Sequence, residues 1–261
     1  MSKDDDETSE ETLDEKIARG ATGRAAKDEE RKYSRYRSRF HAALRYGAQR
    51  GLLKSVAWRT VRVSIIGLEH TEKLPDNFII VANHSSHLDA PLILGSLPAD
   101  KARYVATGAA ADYFYDVAWR RGLTALFFNS FPVDRSGANP RSVSPKQLLL
   151  RGVPILVFPE GTRSKTGKAG KFKPGSAALS TSTSSPILPV AIIGAFETYP
   201  RGQRWPKAGR LPVGVVYGEA MRAKDGEAPV EFMDRVRAEI LRLYDEHRES
   251  VLNPKAEGDH P

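Results

Sequence analysis

From residue 61 onward the chain alternates short, branched apolar runs with segments of helical periodicity, and this alternation restricts its fold more than any other feature. FIIVA (78–82), RYVAT (103–107), VPILVF (153–158), ILPVAII (187–193) and PVGVVY (212–217) are bounded by turn-forming residues. That is the pattern of strands buried on both faces. Helices are predicted near 88–96, 110–126, 140–151, 174–183 and 228–249. The last has Met233, Val236, Ile240, Leu243 and Tyr244 in a 3.6-residue stripe. Strands and helices in alternation predict an α/β domain.

What precedes that domain differs from it in charge. Residues 1–31 hold six basic and eleven acidic side chains and almost no large apolar group, so they are expected to form a disordered acidic tail. Residues 32–62 hold nine basic residues and no acidic one, interleaved with Tyr33, Tyr36, Phe40, Leu44, Leu52, Val56 and Trp58. Tyr36/Phe40, Phe40/Leu44 and Leu52/Val56 are spaced for one helical face, and Gly47 and Gly51 predict a break into two short helices. A basic amphipathic segment of this kind suits the headgroup region of a bilayer; packing on its own domain is the alternative. The expected division is therefore a tail (1–31), membrane-surface helices (32–62), a catalytic domain (63–250) and a C-terminal tail (251–261).

Several classes of function are excluded or disfavoured. With no cysteine there is no disulfide, thiolate metal site or cysteine nucleophile. The opening MSKDDDETSEETLDEK lacks the basic start and apolar run of a signal peptide, and no stretch reaches the ~20 apolar residues of a bilayer span. The expected location is cytoplasmic, peripheral on the inner face of the membrane. The net charge of +8 favours anionic partners. No helix-turn-helix, RNP or zinc-finger pattern accompanies it, so a nucleic-acid partner is not expected.

Two segments carry chemistry. Asn83-His84-Ser85-Ser86-His87-Leu88-Asp89 follows the first predicted strand, at the edge where α/β proteins place their sites. A carboxylate five residues on can orient the His84 imidazole as a base, with no adjacent nucleophile, which suits activation of a substrate hydroxyl. Competing readings make Asp89 a helix cap, His87 a bland turn residue, or His84, His87 and Asp89 metal ligands. The second segment runs from strand VPILVF into Pro159-Glu160-Gly161-Thr162-Arg163-Ser164. Gly161 permits close backbone approach, Thr162 and Ser164 offer hydroxyls, and Arg163 offers a bidentate fork for phosphate. Lys165, Lys168, Lys171 and Lys173 follow. Neither the P-loop spacing nor a GxSxG elbow is present.

Together these segments resemble the glycerolipid acyltransferase family, which includes the 1-acylglycerol-3-phosphate acyltransferases. His84 and Asp89 match its first motif, Phe158–Ser164 its E-G-T-R motif, and Leu188-Pro189-Val190 its proline-centred fourth motif. The second motif is matched by Asn129–Arg135, where Asn129 replaces a glycine and Pro132 an aromatic residue. The resemblance implies a mixed, mostly parallel central sheet flanked by helices. It further implies acyl transfer from acyl-CoA or acyl-carrier protein to the free hydroxyl of 1-acylglycerol-3-phosphate, giving phosphatidic acid, with no metal or other cofactor. His84 is then general base and Asp89 its partner, while Arg135, Glu160, Gly161, Thr162 and Arg163 hold the acceptor phosphate. Amides near Gly161 are candidates for the oxyanion, and the lysines of 165–173 would steer anionic groups. The implied partners are an acyl thioester, a lysophospholipid and an anionic membrane surface. Another lysophospholipid or glycolipid acceptor, or a non-catalytic lipid- or phosphate-binding module, is the alternative.

Overall fold

Two runs without a hydrogen-bonding side chain, Ile79–Ala82 and Ile187–Ile193, can hide every residue only where neighbours cover both faces, and they lie side by side inside one sheet. The computed structural model of the protein describes residues 27, 29–110, 118–133, 143–203 and 205–254. Its seven strands are β1 (Arg62–Ile66), β2 (Ile79–Ala82), β3 (Ala106–Ala110), β4 (Phe131–Val133), β5 (Ile155–Val157), β6 (Ile187–Ile193) and β7 (Pro212–Tyr217). They are ordered β1-β7-β6-β2-β5-β3-β4. β6, β2, β5, β3 and β4 run in one direction; β7 is antiparallel to β6, and β1 is parallel to β7. The sheet is mixed and mostly parallel. Proline is rare in a central strand, but Pro189 sits just past the β6–β7 register, which starts at Val190↔Tyr217, so its missing N–H costs no ladder bond there.

Around the sheet lie α1 (Arg39–Gly47), α2 (Lys54–Thr60), α3 (Asp89–Ser96), α4 (Ala118–Phe128), α5 (Pro145–Leu150), α6 (Gly175–Thr183) and α7 (Pro229–Leu252). Of the predicted helices, that at 110–126 is described from Ala118 on, as Ala118–Phe128, while Ala110 closes β3; the rest of it and part of 140–151 lie outside the described residues. The α7 stripe buries Met233, Val236, Ile240 and Leu243 against β6 and β7. Each such side chain contributes about 1.5–3 kcal/mol when fully buried. Tyr244, the fifth residue of the stripe, stays half-buried.

The basic segment departs from expectation in two ways. Gly47 and Gly51 do not break it: α1 continues through a π-helical stretch, Ala48–Leu53, into α2. The break comes at Ser38, extended at φ −61° and ψ 122°, whose side chain caps α1 by accepting from His41 N. Tyr36 therefore lies fully buried ahead of the cap while Phe40 beyond it is 69% exposed, so the two do not share a face. The arginines also divide. Arg37, Arg39, Arg59 and Arg62 are exposed. Arg45 is buried, and the Arg50 guanidinium is bound to the carbonyls of Gly95 and Leu97 at the end of α3.

α2 reaches α3 through Trp58, whose ring lies where a side chain at Gly95 would stand, 2.7 Å from an added Cβ. Only glycine permits that approach. Among the described residues, no helix is long and apolar enough to cross a membrane. The chain divides into two units, 1–35 and 36–261; of the first, residues 29–35 are helical, and of the second everything above is built. Of the predicted tails, residues 27, 29–31 and 251–254 are described: 29–31 are helical, Val251 and Leu252 end α7 with Val251 buried, and the remainder lies outside the described residues.

Candidate active site

β2, β5 and β6 are parallel neighbours, so their C-terminal ends deliver Asn83–Leu88, Phe158–Ser164 and Gly194–Tyr199 to one edge of the sheet. Residues 76 apart in sequence, His84 and Glu160, become neighbours for this reason alone.

The first loop is fixed at its root. Asn83 is buried, its amide donating to Ile192 O (2.9 Å) and accepting from Ile192 N (2.8 Å), so it completes the edge of β6 as a strand would. Beyond it the chain curls around a single oxygen. Asp89 Oδ2 accepts from His84 Nδ1 (2.8 Å), Ser85 N (2.7 Å) and Ser86 N (2.8 Å). Asp89 opens α3, yet its carboxylate points back at the preceding loop and caps none of the helix's own amides. Oδ1 is buried and makes no hydrogen bond. The imidazole stacks on Phe158, with ring centroids 4.0 Å apart and planes 17° from parallel. With its Nδ1 proton donated to Asp89, the ring presents Nε2 as a lone-pair acceptor. The His84 side chain remains 22% exposed, and Asp89 is fully buried.

Glu160 joins the second loop to the first. Its carboxylate accepts from His84 N (2.8 Å) and Gly170 N (3.0 Å), and Ser164 N returns a bond to His84 O (2.8 Å). Burial pushes the Glu160 carboxyl up, against the two N–H donors that favour its charged form. Both oxygens of this predicted phosphate-site residue thus face backbone amides. Gly161 takes φ +73° in the turn after Phe158, and Lys173 Nζ would lie 3.2 Å from a Cβ placed there. Gly161 and Thr162 are exposed, and Arg163 is half-buried. Two amides offered by sequence for the oxyanion are committed elsewhere: Gly161 N to Phe158 O and Ser164 N to His84 O.

His87 turns its exposed ring to Tyr199 at 5.7 Å. Its pKa is lowered by partial burial, then by the positive charge of Arg163 and by His84. Arg163 precedes Ser164, whose N–H bonds His84 O, so the chain at Arg163 runs beside the His84 loop. Ser86 Oγ donates to Tyr199 O (2.8 Å), tying in the third loop. The basic stretch 164–173 is pinned by Ser164 Oγ on Lys168 O and by Arg237 of α7 on the carbonyls of Ala169 and Gly170. Arg135 lies outside the described residues. Among the described residues, no three His, Asp or Glu side chains gather as a metal site.

Sequence reasoning overlooked Asn83, Phe158 and Tyr199 as builders of this site. Phe158 carried a signal, since an aromatic at a strand's end next to a polar loop is placed to pack on whatever that loop holds. Asn83 bonds the backbone of Ile192 and Tyr199 offers its own carbonyl to Ser86 Oγ, each across more than 100 residues of sequence, where no local pattern points.

The chain matches the Acyltransferase family model over residues 62–193. It is 42% identical over 87 residues to a 1-acyl-sn-glycerol-3-phosphate acyltransferase of Pseudomonas aeruginosa, covering 32% of this chain and 31% of that one. It is 28% identical over 181 residues to the chloroplastic 1-acyl-sn-glycerol-3-phosphate acyltransferase BAT2 of Brassica napus, covering 65% of this chain and 47% of that one. The chain thus spans less than half the length of either curated relative. The crystal structure of the 1-acyl-sn-glycerophosphate (LPA) acyltransferase PlsC from Thermotoga maritima superposes with a TM-score of 0.60 at 28% identity, over 74% of this chain and 77% of that one.

Proposed function

Because the chain belongs to the acyltransferase family, we propose that it transfers a fatty acyl group from a thioester, acyl-CoA or acyl-carrier protein, to the free hydroxyl of 1-acylglycerol-3-phosphate, forming phosphatidic acid. The names of its relatives favour this acceptor. The observation that carries the chemistry is the Asp89–His84 pair, with Nδ1 held at 2.8 Å and the ring clamped by Phe158.

In this mechanism His84 Nε2 takes the proton of the acceptor hydroxyl as that oxygen attacks the thioester carbonyl carbon. Asp89 stabilises the imidazolium that forms. The tetrahedral intermediate then collapses: the C–S bond breaks, the thiolate leaves with its carrier, and the imidazolium returns its proton to the sulfur. The new ester and the free thiol are the products. Arg163 and Arg135 hold the acceptor phosphate, matching its charge with planar forks. Glu160 supports this as a tie between the loops, since a carboxylate aimed at a phosphate would repel it.

The acceptor is an amphiphile, so the reaction takes place at a lipid surface. Phe40, Leu44, Leu52 and Val56 are exposed between Arg39 and Thr60, and Arg37, Arg39, Arg59 and Arg62 are exposed in the same stretch of chain. This surface docks on the anionic inner leaflet of the membrane. The reading is tested by incubating the purified chain with radiolabelled acyl-CoA and a panel of lysophospholipids. Phosphatidic acid should be the main product, and His84→Ala should abolish it with the fold retained. Equal transfer by the His84→Ala protein would refute the mechanism.

A further inference from the structure

α3 carries Asp89 at its first position and is buried from Pro91 to its end at Ser96. A helix of this length spans about 12 Å and moves as one body, so what fixes one end also sets the other. The two members of the proposed pair are anchored separately. His84 is tied to the loop after β5: its ring lies on Phe158, its N–H is donated to Glu160, and its carbonyl accepts from Ser164 N. Asp89 is tied to α3. Their 2.8 Å contact therefore depends on where α3 stands along its own axis.

The far end of α3 is held from outside the helix. The last carbonyls of a helix have no partner within it. Here Arg50 supplies one, Nη1 donating to Gly95 O (2.8 Å) and Nη2 to Leu97 O. A guanidinium at that end also matches the negative pole of the helix dipole. The Trp58 ring packs on the same turn, so close to Gly95 that an added Cβ would stand 2.7 Å from it. From β7, the buried Tyr217 hydroxyl lies within hydrogen-bond distance of Ser96 Oγ (2.7 Å) and Ile93 O (3.2 Å). Tyr217 belongs to the sheet, whereas Arg50 and Trp58 come from the basic N-terminal segment. Arg50 sits in its π-helical stretch, a distortion that frequently marks a functional site, and Trp58 sits in α2. Between them in the chain are the exposed Leu52 and Val56.

We infer that Arg50 and Trp58 are positioning residues for the acyl-transfer chemistry: by holding the C-terminal end of α3 they set its first residue, Asp89, against His84. This rests on the proposed roles of that pair. The segment that carries the docking surface is then also the support of the helix that orients the base.

Two substitutions displace the support without touching the pair. Gly95→Ala puts a methyl group against the Trp58 ring, although alanine is by itself the better helix former. Arg50→Gln leaves the ring packing in place and removes the charged fork. Each should lower kcat roughly ten-fold or more, the scale of a misplacement well under 1 Å to 1 Å, with both KM values held. Adding Trp58→Leu to Gly95→Ala makes room for the methyl, and the double variant should be more active than Gly95→Ala alone; a double variant that is no more active overturns the role of the Trp58 contact. Action through Asp89 is tested in the Asp89→Asn background, where Gly95→Ala and Arg50→Gln should change kcat by no more than about two-fold, the usual scatter of such cycles. Losses as large there as in the wild type would make both residues structural only and overturn the inference. Hydrogen exchange reads the position of the carboxylate without catalysis, because Ser85 N and Ser86 N are both bonded to Asp89 Oδ2. These two amides should exchange faster in Arg50→Gln relative to the amides of β2 and β6, and an unchanged ratio refutes the positioning. If the wild-type chain acylates no lysophospholipid, the functional reading fails, while the exchange result still decides whether Arg50 sets Asp89.

Discussion

Replacing Asp89 by Asn isolates the charge of the catalytic pair from its geometry. All three hydrogen bonds to Asp89 converge on Oδ2, and Oδ1 has no partner. An asparagine can therefore place its carbonyl oxygen where Oδ2 stands, keep Ser85 N, Ser86 N and His84 Nδ1 satisfied, and preserve the tautomer. What it removes is the negative charge beside the imidazolium. Charge centres on the order of 4 Å apart interact by about 4 kcal/mol at an effective dielectric of about 20. His84 is 22% exposed, and solvent screening reduces this to about 2–3 kcal/mol, or roughly thirty- to hundred-and-fifty-fold in kcat. The new amide NH2 would occupy the buried Oδ1 position without an acceptor, costing about 1–3 kcal/mol of stability, or several degrees in Tm. Steady-state acyl transfer with saturating acyl-CoA, paired with a melting curve, reads both. Asp89→Ala should lose more stability than Asp89→Asn, because three N–H groups then lack their acceptor. Activity of the Asp89→Asn protein within three-fold of wild type would mean that Asp89 only folds the loop and that no imidazolium forms beside it.

Glu160→Gln should weaken the link between the loops, since an amide offers one acceptor where two N–H groups converge; kcat is expected to drop roughly ten-fold. In the wild type, activity should fall on acidification through the raised Glu160 pKa, and that acid limb should flatten in the Gln variant. The raised folded-state pKa means that Glu160's own contribution to stability is present below its ordinary value of 4.5 and lost as pH rises through the folded value. Activity and Tm should therefore part company on the acid side, and parallel losses would refute the assignment to Glu160. Arg163→Lys should raise the KM for 1-acylglycerol-3-phosphate about ten- to a hundred-fold, because a point charge cannot replace a bidentate fork, with the KM for acyl-CoA held; equal changes in both would make the residue structural. Replacing Arg37, Arg39, Arg59 and Arg62 by Gln should cut sedimentation with anionic vesicles at low salt, each charge being worth about 1 kcal/mol near such a surface. Gln at Arg45 or Arg50 should instead lower Tm, and vesicle binding indifferent to the four exposed arginines would remove α1–α2 from the docking surface.

The strands and loops that build the site were readable because their signals are local. β2, β5 and β6 announce themselves as apolar runs, and parallel pairing then forces their exits to one edge. The two strands overlooked, β1 and β4, are the two edges of the sheet. An edge strand is covered less and bonded on one side only, so β1 leaves Arg62 and Ile65 exposed and lacks a buried strand's composition. β4 contains Pro132, which argues against a strand unless one side of its backbone goes unpaired, as an edge allows. β3 was expected at 103–107 and lies at Ala106–Ala110, because alanine and glycine give no hydrophobic contrast to mark where it ends.

The positions of the charged groups were harder to read for a different reason: their partners are backbone carbonyls and amides, which have no sequence signature. Arg45, Arg50 and Glu160 look alike in composition to residues that face solvent or ligand. Yet Arg45 binds the carbonyl of Arg103, Arg50 those of Gly95 and Leu97, and Glu160 the amides of His84 and Gly170. Each is bound to a turn or helix end, where orphan backbone groups collect. Helix ends could be forecast from sequence with fair success, but which long side chain reaches which end depends on the crossing of elements far apart in the chain. Charge in the 32–62 segment therefore divides into arginines that hold the fold and arginines free to meet a surface, and only the second set should respond to salt.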